Sequence, residues 1–347
     1  MTKRYLENAW YFGGWSNQLK TGEVKELKLA ERGLAVYRSA SGIVGVIGDR
    51  CPHRFAPLHL GKVRGETLEC GYHGVQFTAD GACAHNPHMK GAKSNSVSVP
   101  GYPVVERHGA IWVWLAQHVT ADPSLIPDLS FLDTLPETAK ATLPTMRVNA
   151  HYEIIVDNLL DPTHAEYLHA GLLGGSGNLI EARPTIRSDR NMIEHTWSYD
   201  GVVAVPVLRT YMPDVENVDT WLINRWFAPS VVIIQAGIKP AGAPREESRF
   251  HAIYHILAPS EHNVTTYDVM TSRNFALDDV TLTEKTYKSF SHAFNEQDKP
   301  MIQAQQEMMG DVDFWDLKPA LFHSDAPSVR VRRALQAKID ETVVEST

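Results

Sequence analysis

The sequence predicts an α+β chain of two domains: a small antiparallel β domain over residues 1–120, and a larger domain over 121–347 that joins an antiparallel sheet to packed helices. Three observations predict it. Residues 1–120 are rich in short apolar alternations broken by Gly, Asp and Ser, such as "GLAVYRSASGIVGVIGD" (33–49) and "GAIWVWLA" (109–116), which read as strands. The Pro/Asp/Ser stretch "VTADPSLIPDLS" (119–130) reads as a linker. Beyond it, a block of strands precedes long helical segments. At 347 residues the chain has room for two domains.

Past the linker, "HYEIIVDNLLDPTHAEYLHAG" (151–171) reads as helical, with a break signalled at Asp161-Pro162. Four strand-like stretches follow: "NMIEHTWSY", "TWLINRWFAPSVVIIQAGI", "SRFHAIYHILAP" and "VTTYDVMTSRNF". A long helix is expected over about 281–309, and another from about 327 to the end. In the first of these, Tyr287, Phe290, Phe294 and Met301 follow a helical spacing and define an expected buried stripe.

Composition excludes several classes. The net charge is −8 with no basic block, so neither nucleic acid nor an anionic membrane is an expected partner. No apolar run approaches the roughly 20 residues that a membrane helix needs. The N-terminus "MTKRYLENAWYFGGW" lacks a signal-peptide core, so the expected location is cytoplasmic. Three cysteines do not make a paired disulfide framework. Cys51 and Cys70 read as metal ligands and Cys83 as a spare thiol.

The stretch "CPHRFAPLHLGKVRGETLECGYHG" (51–74) carries two hooks of one kind, Cys51-x-His53 and Cys70-x-x-His73, on Gly/Pro-rich loops. Zinc held by two Cys and two His is the bland reading. A zinc finger, however, uses a Cys pair and then a His pair. A [2Fe-2S] centre of the Rieske type wants two thiolates on one iron and two imidazoles on the other, and one Cys plus one His from each loop meets that need by symmetry. The remaining alternative is two histidines near two core cysteines with no metal.

These residues resemble the Rieske signature, C-x-H-x(15–17)-C-x-x-H, down to Pro52, Arg54, Tyr72 and Gly74. Gly71 and Gly74 are expected to let the backbone approach the cluster.

A Rieske domain accounts for only the first part of the chain. The segment "DNLLDPTHAEYLH" holds Asp157, Asn158, Asp161, His164, Glu166 and His169. His164 and His169 would diverge by about 140° on an ideal helix, so they share a metal only if the helix ends or widens between them. Spacing alone also allows Asp161 to be a helix cap and the histidines to be packed or surface residues. A third ligand is available on the 281–309 helix. Asp298 falls on the apolar stripe, where a carboxylate needs a partner or a metal, whereas Glu296 lies off it.

D-x-x-H-x(4)-H after "DNL" resembles the mononuclear iron motif of Rieske oxygenases, especially the aromatic O-demethylases acting on vanillate and dicamba. Asp298-Lys-Pro-Met301…Gln305-Gln306 resembles the family's E-D-x-x-M-x-x-x-Q-Q, with Gln297 and Pro300 as departures. The likeness extends to "NAWY" (8–11), "YPVVERHGAIWVW" (102–114), "RWFAPS" (225–230) and "SRNFALDD" (272–279).

That resemblance implies a helix-grip-like catalytic domain with Fe(II) on His164, His169 and Asp298. Asp161 would be the carboxylate linking the two metal centres and orienting both imidazoles, with Asn158 as the second catalytic residue. It implies a ring-shaped homotrimer in which His73 of one chain faces Asp161 of the next. O2 would be the co-substrate, and electrons would come from NAD(P)H through a separate reductase or ferredoxin, because the chain has no GxGxxG of its own. The implied reaction is O-demethylation of a small methoxylated aromatic acid with loss of formaldehyde. His255, Ile234 and Phe290 fall on substrate-contacting positions, while His85 and His88 read as loop residues. A hydroxylase that releases no formaldehyde and a pure electron-transfer protein are the alternatives.

Overall fold

The computed structural model describes residues 5–90, 97–116, 119–174, 178–181 and 183–345. It divides into two compact units, one built mainly on residues 4–128 and the other mainly on 129–338.

The first unit consists of small antiparallel sheets. Trp10–Trp15 pairs with Ala110–Trp114, which pairs with Val104–Arg107. The stretch read as alternating strands forms a hairpin, Arg32–Arg38 against Val44–Gly48, whose Leu34, Ala35, Val46 and Ile47 are fully buried. A third sheet joins Lys62–Arg64, Thr67–Glu69, Gln76–Phe77 and Cys83–His85. Its core gathers Cys51, Cys70 and Cys83 with Leu58, Leu68, Val75 and Phe77. The spare thiol, Cys83, is thus a packing residue.

The glycines of this region serve the loops themselves. A Cβ on Gly61 would stand 2.1 Å from the Glu69 carbonyl oxygen, and one on Gly71 would stand 2.9 Å from that of Leu60. The two hooks therefore meet backbone against backbone, which only glycine permits.

The second unit is organised on an eight-stranded antiparallel sheet. Its order runs Lys140–Thr142, Val264–Arg273, Arg249–Glu261, Val231–Pro240, Val218–Phe227, Met192–Val202 and Thr185–Asp189, with Met146–Val148 also on Val264–Arg273. The helical segment is shorter than the sequence suggests. Tyr152–Leu160 is α-helix, Asp161 is extended (φ −104°, ψ 97°), and Pro162–Glu166 is a separate 3₁₀ turn. The residue before a proline is driven out of the helical region, and the chain changes direction there.

The expected 281–309 helix is three pieces: α-helix Val280–His292, a π-helical turn Ala293–Asp298, and α-helix Lys299–Met309. Pro300 lacks the N–H that an α turn would use, and the chain widens just before it. The wider turn also moves the stripe. Phe290, Phe294, Asp298, Ile302 and Gln306 are its buried members, while Met301, expected on it, is 49% exposed. Tyr287 is only half-buried. The last helix, Ala326–Glu345, begins near its expected start, and the final two residues of that expectation lie outside the described residues. Among the described residues no helix is long and apolar enough to cross a membrane.

Arg332 ties this last helix to Tyr152–Leu160. Its guanidinium lies 2.7 Å from both Asp157 Oδ2 and Glu153 Oε2 and stacks on Phe314 at 4.3 Å. Arg332→Met should lower unfolding stability by about 3 kcal/mol, because two partly buried carboxylates lose their counter-charge. Chemical denaturation of the variant measures it, and a change under about 0.5 kcal/mol would assign the network to the screened surface class.

Candidate metal centres and active-site cavity

The two hooks fold alike. The Cys51 carbonyl accepts from Phe55 N at 2.9 Å and its N–H donates to Ala56 O at 3.0 Å. The Cys70 carbonyl accepts from Gly74 N at 3.0 Å and its N–H donates to Val75 O at 2.8 Å. In both, the fourth residue after Cys is left-handed: Phe55 at φ 60° and Gly74 at φ 73°. The thiols are buried and in hydrogen-bonding contact with each other, and burial pushes the Cys51 pKa up. Ionising two adjacent buried thiols needs a compensating cation, which a bound metal supplies. The His53 and His73 rings lie 4.5 Å apart, with His53 exposed. Sulfur inside and nitrogen outside suits a cluster whose two irons have different ligands.

His88, read from sequence as a loop residue, sits on the short turn Pro87–Met89 beside this pair. Its ring is 5.7 Å from that of His73, and its Nε2 is 3.3 Å from the His73 carbonyl oxygen. His85 ends the strand Cys83–His85. Asp49 and His59 brace the first loop from outside, with Oδ2 and Nδ1 2.6 Å apart.

In the second unit, the break at Asp161 resolves the divergence of His164 and His169. Their rings are 5.1 Å apart, and His169 Nε2 and His164 Nε2 stand 3.1 and 3.6 Å from Asp298 Oδ1. One donor atom from each of the three lies within 4.8 Å of the others. Asp298 reaches them from the π-helical turn, while Glu296 is exposed and outside the group. Two imidazoles and a carboxylate converging in a largely buried spot fit a facial triad for Fe(II).

Polar neighbours fix each member. His169 Nδ1 donates to Gln297 Oε1 at 2.8 Å, and Asn158 Nδ2 donates to Asp298 Oδ1 at 3.2 Å. The Asp161 carbonyl oxygen accepts from His164 Nδ1 at 2.5 Å. Within the chain it is thus the main chain of Asp161, not its carboxylate, that orients His164. The carboxylate accepts from Thr163 N at 2.9 Å and Thr163 Oγ1 at 2.6 Å, capping the turn after Pro162. Burial lowers the His164 pKa; on His169, burial opposes the charge, but the hydrogen bond and charge of Asp298 raise it. Sequence reading noted Gln297 only as a departure from the family pattern and His88 only as a loop residue, because contacts with distant residues leave no local signal.

A cavity of about 160 Å³ adjoins this triad. Its floor is built by cross-strand rows, Asn224–Ile234–Ile253 and Leu222–Ala236–His251. Side chains on alternate residues of adjacent strands share a face, which is why these rows exist. Phe290 and Phe294 face the cavity as a stacked pair, 5.9 Å apart at 11°. The expected contact residues His255, Ile234 and Phe290 all line it. His255 is also tied into the core, with Nδ1 2.5 Å from Tyr267 Oη.

Residues 9–103 match the Rieske [2Fe-2S] domain, and residues 148–341 match the vanillate O-demethylase oxygenase C-terminal domain. The class is the oxygenase component of a Rieske non-haem iron monooxygenase. The chain belongs to the vanillate O-demethylase oxygenase family within that class. It is 33% identical over 342 residues to the oxygenase component of chloroacetanilide N-alkylformylase from Rhizorhabdus wittichii, covering 96% of each chain. It is 32% identical to the oxygenase component of dicamba O-demethylase from Stenotrophomonas maltophilia, covering 96% of this chain and 97% of that one. Crystalline dicamba monooxygenase bound to dicamba superposes with a TM-score of 0.88 at 30% identity, covering 99% of this chain and 100% of that one. The cofactors are a Rieske [2Fe-2S] cluster and a mononuclear Fe(II). O2 is the co-substrate, and NAD(P)H electrons arrive through a separate protein.

Two sets of variants test the candidate ligands. Cys70→Ser should abolish the Rieske electron paramagnetic resonance signal, and a normal signal would remove Cys70 from the set. Asp298→Ala should leave that signal intact and remove the mononuclear iron, whereas Glu296→Ala should retain it. Gln297→Leu should weaken Fe(II) binding by about 10–100-fold through loss of the His169 hydrogen bond, as read by iron titration of the apoprotein.

Proposed function

We propose that the chain is a terminal oxygenase that removes a methyl group, by O-demethylation, from a small aromatic substrate, releasing formaldehyde. The reaction takes ROCH3, O2, two electrons and two protons to ROH, formaldehyde and water. The observation that carries the reading is the small apolar cavity ending at His164, His169 and Asp298. O-demethylation is also the activity of the dicamba and vanillate O-demethylase relatives.

The iron, when bound, supplies the activation of O2. The protein's own residues do the rest. Phe290 and Phe294 hold an aromatic ring against Ile234 and Ile253, and their burial keeps water from the ring. Asn158 and Gln297 keep Asp298 and His169 aimed at one point. The carboxylate expected on the substrate finds no lysine or arginine among the described residues of the cavity. A toluene-4-sulfonate monooxygenase subunit from Comamonas testosteroni, 30% identical over 89% of this chain, keeps hydroxylation as the second reading.

Electron entry fits a homotrimer. Phe55, Leu60 and Tyr72 are 65–70% exposed around His53 and His73. A groove lined by Asp161, His164, Met301, Met308 and Leu321 opens elsewhere, with Met308 87% exposed. Apolar faces of this kind beside both candidate centres suit a head-to-tail ring of copies.

The test is a screen of methoxylated aromatics with a surrogate reductase. Formaldehyde in proportion to O2 consumed is expected; a hydroxylated product without formaldehyde establishes the hydroxylase instead. Asp161→Asn should keep both centres loaded, since Asn caps as well as Asp. It should nonetheless slow single-turnover oxidation of the reduced cluster by at least about a hundredfold. Wild-type cluster oxidation would discard Asp161 as the inter-subunit link.

A further inference from the structure

The strand Arg249–Glu261 carries two histidines, His251 and His255, set in the same arrangement. Both line the cavity. Each Nδ1 lies against a tyrosine hydroxyl, His251 at 2.7 Å from Tyr211 Oη and His255 at 2.5 Å from Tyr267 Oη. Each ring also meets a phenylalanine, His251 with Phe290 at 5.2 Å and His255 with Phe294 at 5.1 Å. Residues an even number apart on a strand share a face, which is why the arrangement repeats.

The tautomer of His251 follows from the hydrogen bonds available to it. Burial raises the Tyr211 hydroxyl well above the usual phenol range, so it stays protonated and donates. Its acceptor among the described residues is His251 Nδ1. Were Nδ1 the donor instead, the Tyr211 proton and the His251 Nε2 lone pair would both go unpaired, two buried groups rather than one. Tyr211 therefore donates to Nδ1, and the imidazole proton sits on Nε2. Burial pushes His251 down to about 4, so the ring is neutral near pH 7 and keeps that tautomer. With Nδ1 turned to Tyr211, Nε2–H is the edge of the ring left to the cavity. Ala236, its cross-strand neighbour on the floor, has no side chain long enough to cover it.

The two histidines differ in their distance from the candidate iron ligands. Phe294 and Asp298 share the π-helical turn, and the Asp298 charge acts on His255 against the effect of burial. On His251 burial acts alone. His251 stands four residues further along the strand, about 13 Å between Cα atoms at roughly 3.3 Å per residue. We propose that His251, fixed by Tyr211, is a specificity-determining donor: its Nε2–H takes an acceptor oxygen on the substrate at the end of the aromatic ring remote from His164, His169 and Asp298. A carbonyl and a carboxylate present the same kind of oxygen, so the donor selects the position of that oxygen and not the charge that it carries. The proposal rests on this cavity being the substrate site of the oxygenase reading above.

Binding is measured apart from turnover. The loaded holoenzyme is titrated calorimetrically with four probes, and formaldehyde is assayed in parallel. 4-Methoxyacetophenone and 4-methoxybenzoate carry the oxygen opposite the methoxy group, and comparing them identifies carbonyl or carboxylate as its source. 4-Isopropylanisole has a similar shape and no oxygen at that end, and 2-methoxyacetophenone has its oxygen beside the methoxy group. The wild-type enzyme should bind the tighter of the first two at least about fivefold more tightly than 4-isopropylanisole, the worth of one net hydrogen bond. His251→Leu should bring that ratio to about one and leave 4-isopropylanisole and 2-methoxyacetophenone within about twofold of wild type. Tyr211→Phe keeps the tyrosine ring and removes only the hydroxyl that fixes the tautomer. It should lower the same ratio at least about twofold, and it reports on the donor if His251→Leu does not fold. A ratio near one in the wild-type enzyme, or one that neither variant lowers, would overturn the proposal. So would equal weakening of all four probes, which marks a packing residue, and failure of every probe to bind below about 1 mM. A ratio that falls as expected with no formaldehyde from any probe leaves the proposal standing and overturns the demethylation reading instead.

Discussion

One buried carboxylate organises the catalytic unit. Asp298 is 4% exposed on a helix face whose other buried members are largely apolar. A carboxylate there is tolerated only with partners. His169, His164 and Asn158 supply them from the segment that ends at His169. The requirement shapes the backbone on both sides. The helix must stop at Asp161 so that His164 and His169 converge, and the facing helix widens to a π turn where Asp298 enters. The donor geometry suits a divalent cation, whose charge completes the neutralisation that the two histidines begin.

The iron–sulfur site is solved differently. No long element carries its candidate ligands; two short loops of the same hydrogen-bond pattern carry them, each with a Cys at the base. Because each loop is fixed by its own backbone bonds and by contact through Gly61 and Gly71, the thiols face inward and the imidazoles outward. That asymmetry places the histidine side of the cluster at the surface, where an electron can enter or leave. The catalytic unit is the reverse: its candidate ligands line a small cavity whose floor is a sheet, and the strand register sets which residues face that cavity.

Several features were legible in the residues themselves. The Asp161-Pro162 break, the two Cys/His hooks as candidate ligand pairs and the burial of Asp298 rather than Glu296 follow from local chemistry: proline geometry, ligand type and the placing of a charge on an apolar stripe. The alternation that marks strands identified the hairpin Arg32–Arg38 with Val44–Gly48 because the period of two is a property of the chain alone.

Other features belong to the tertiary structure. Met301 leaves the stripe because a π turn changes the number of residues per turn, and no i,i+3 count anticipates that. Gln297 looked like a mere departure from the family pattern until His169, 128 residues away, was found against it. Asp161 carries its carboxylate into a cap and its carbonyl to His164, a division that depends on φ and ψ at one residue. The row of residues on the cavity floor is likewise a matter of register. Asn224, Ile234 and Ile253 come from three strands, and a slip of one residue would turn each to the opposite face. The sequence by itself determined which atoms could bind metal, because ligand chemistry resides in side chains. Only the folded sheet and the widened helix decided where those atoms meet and what surrounds them, because distance and burial arise from contacts between residues far apart in the chain.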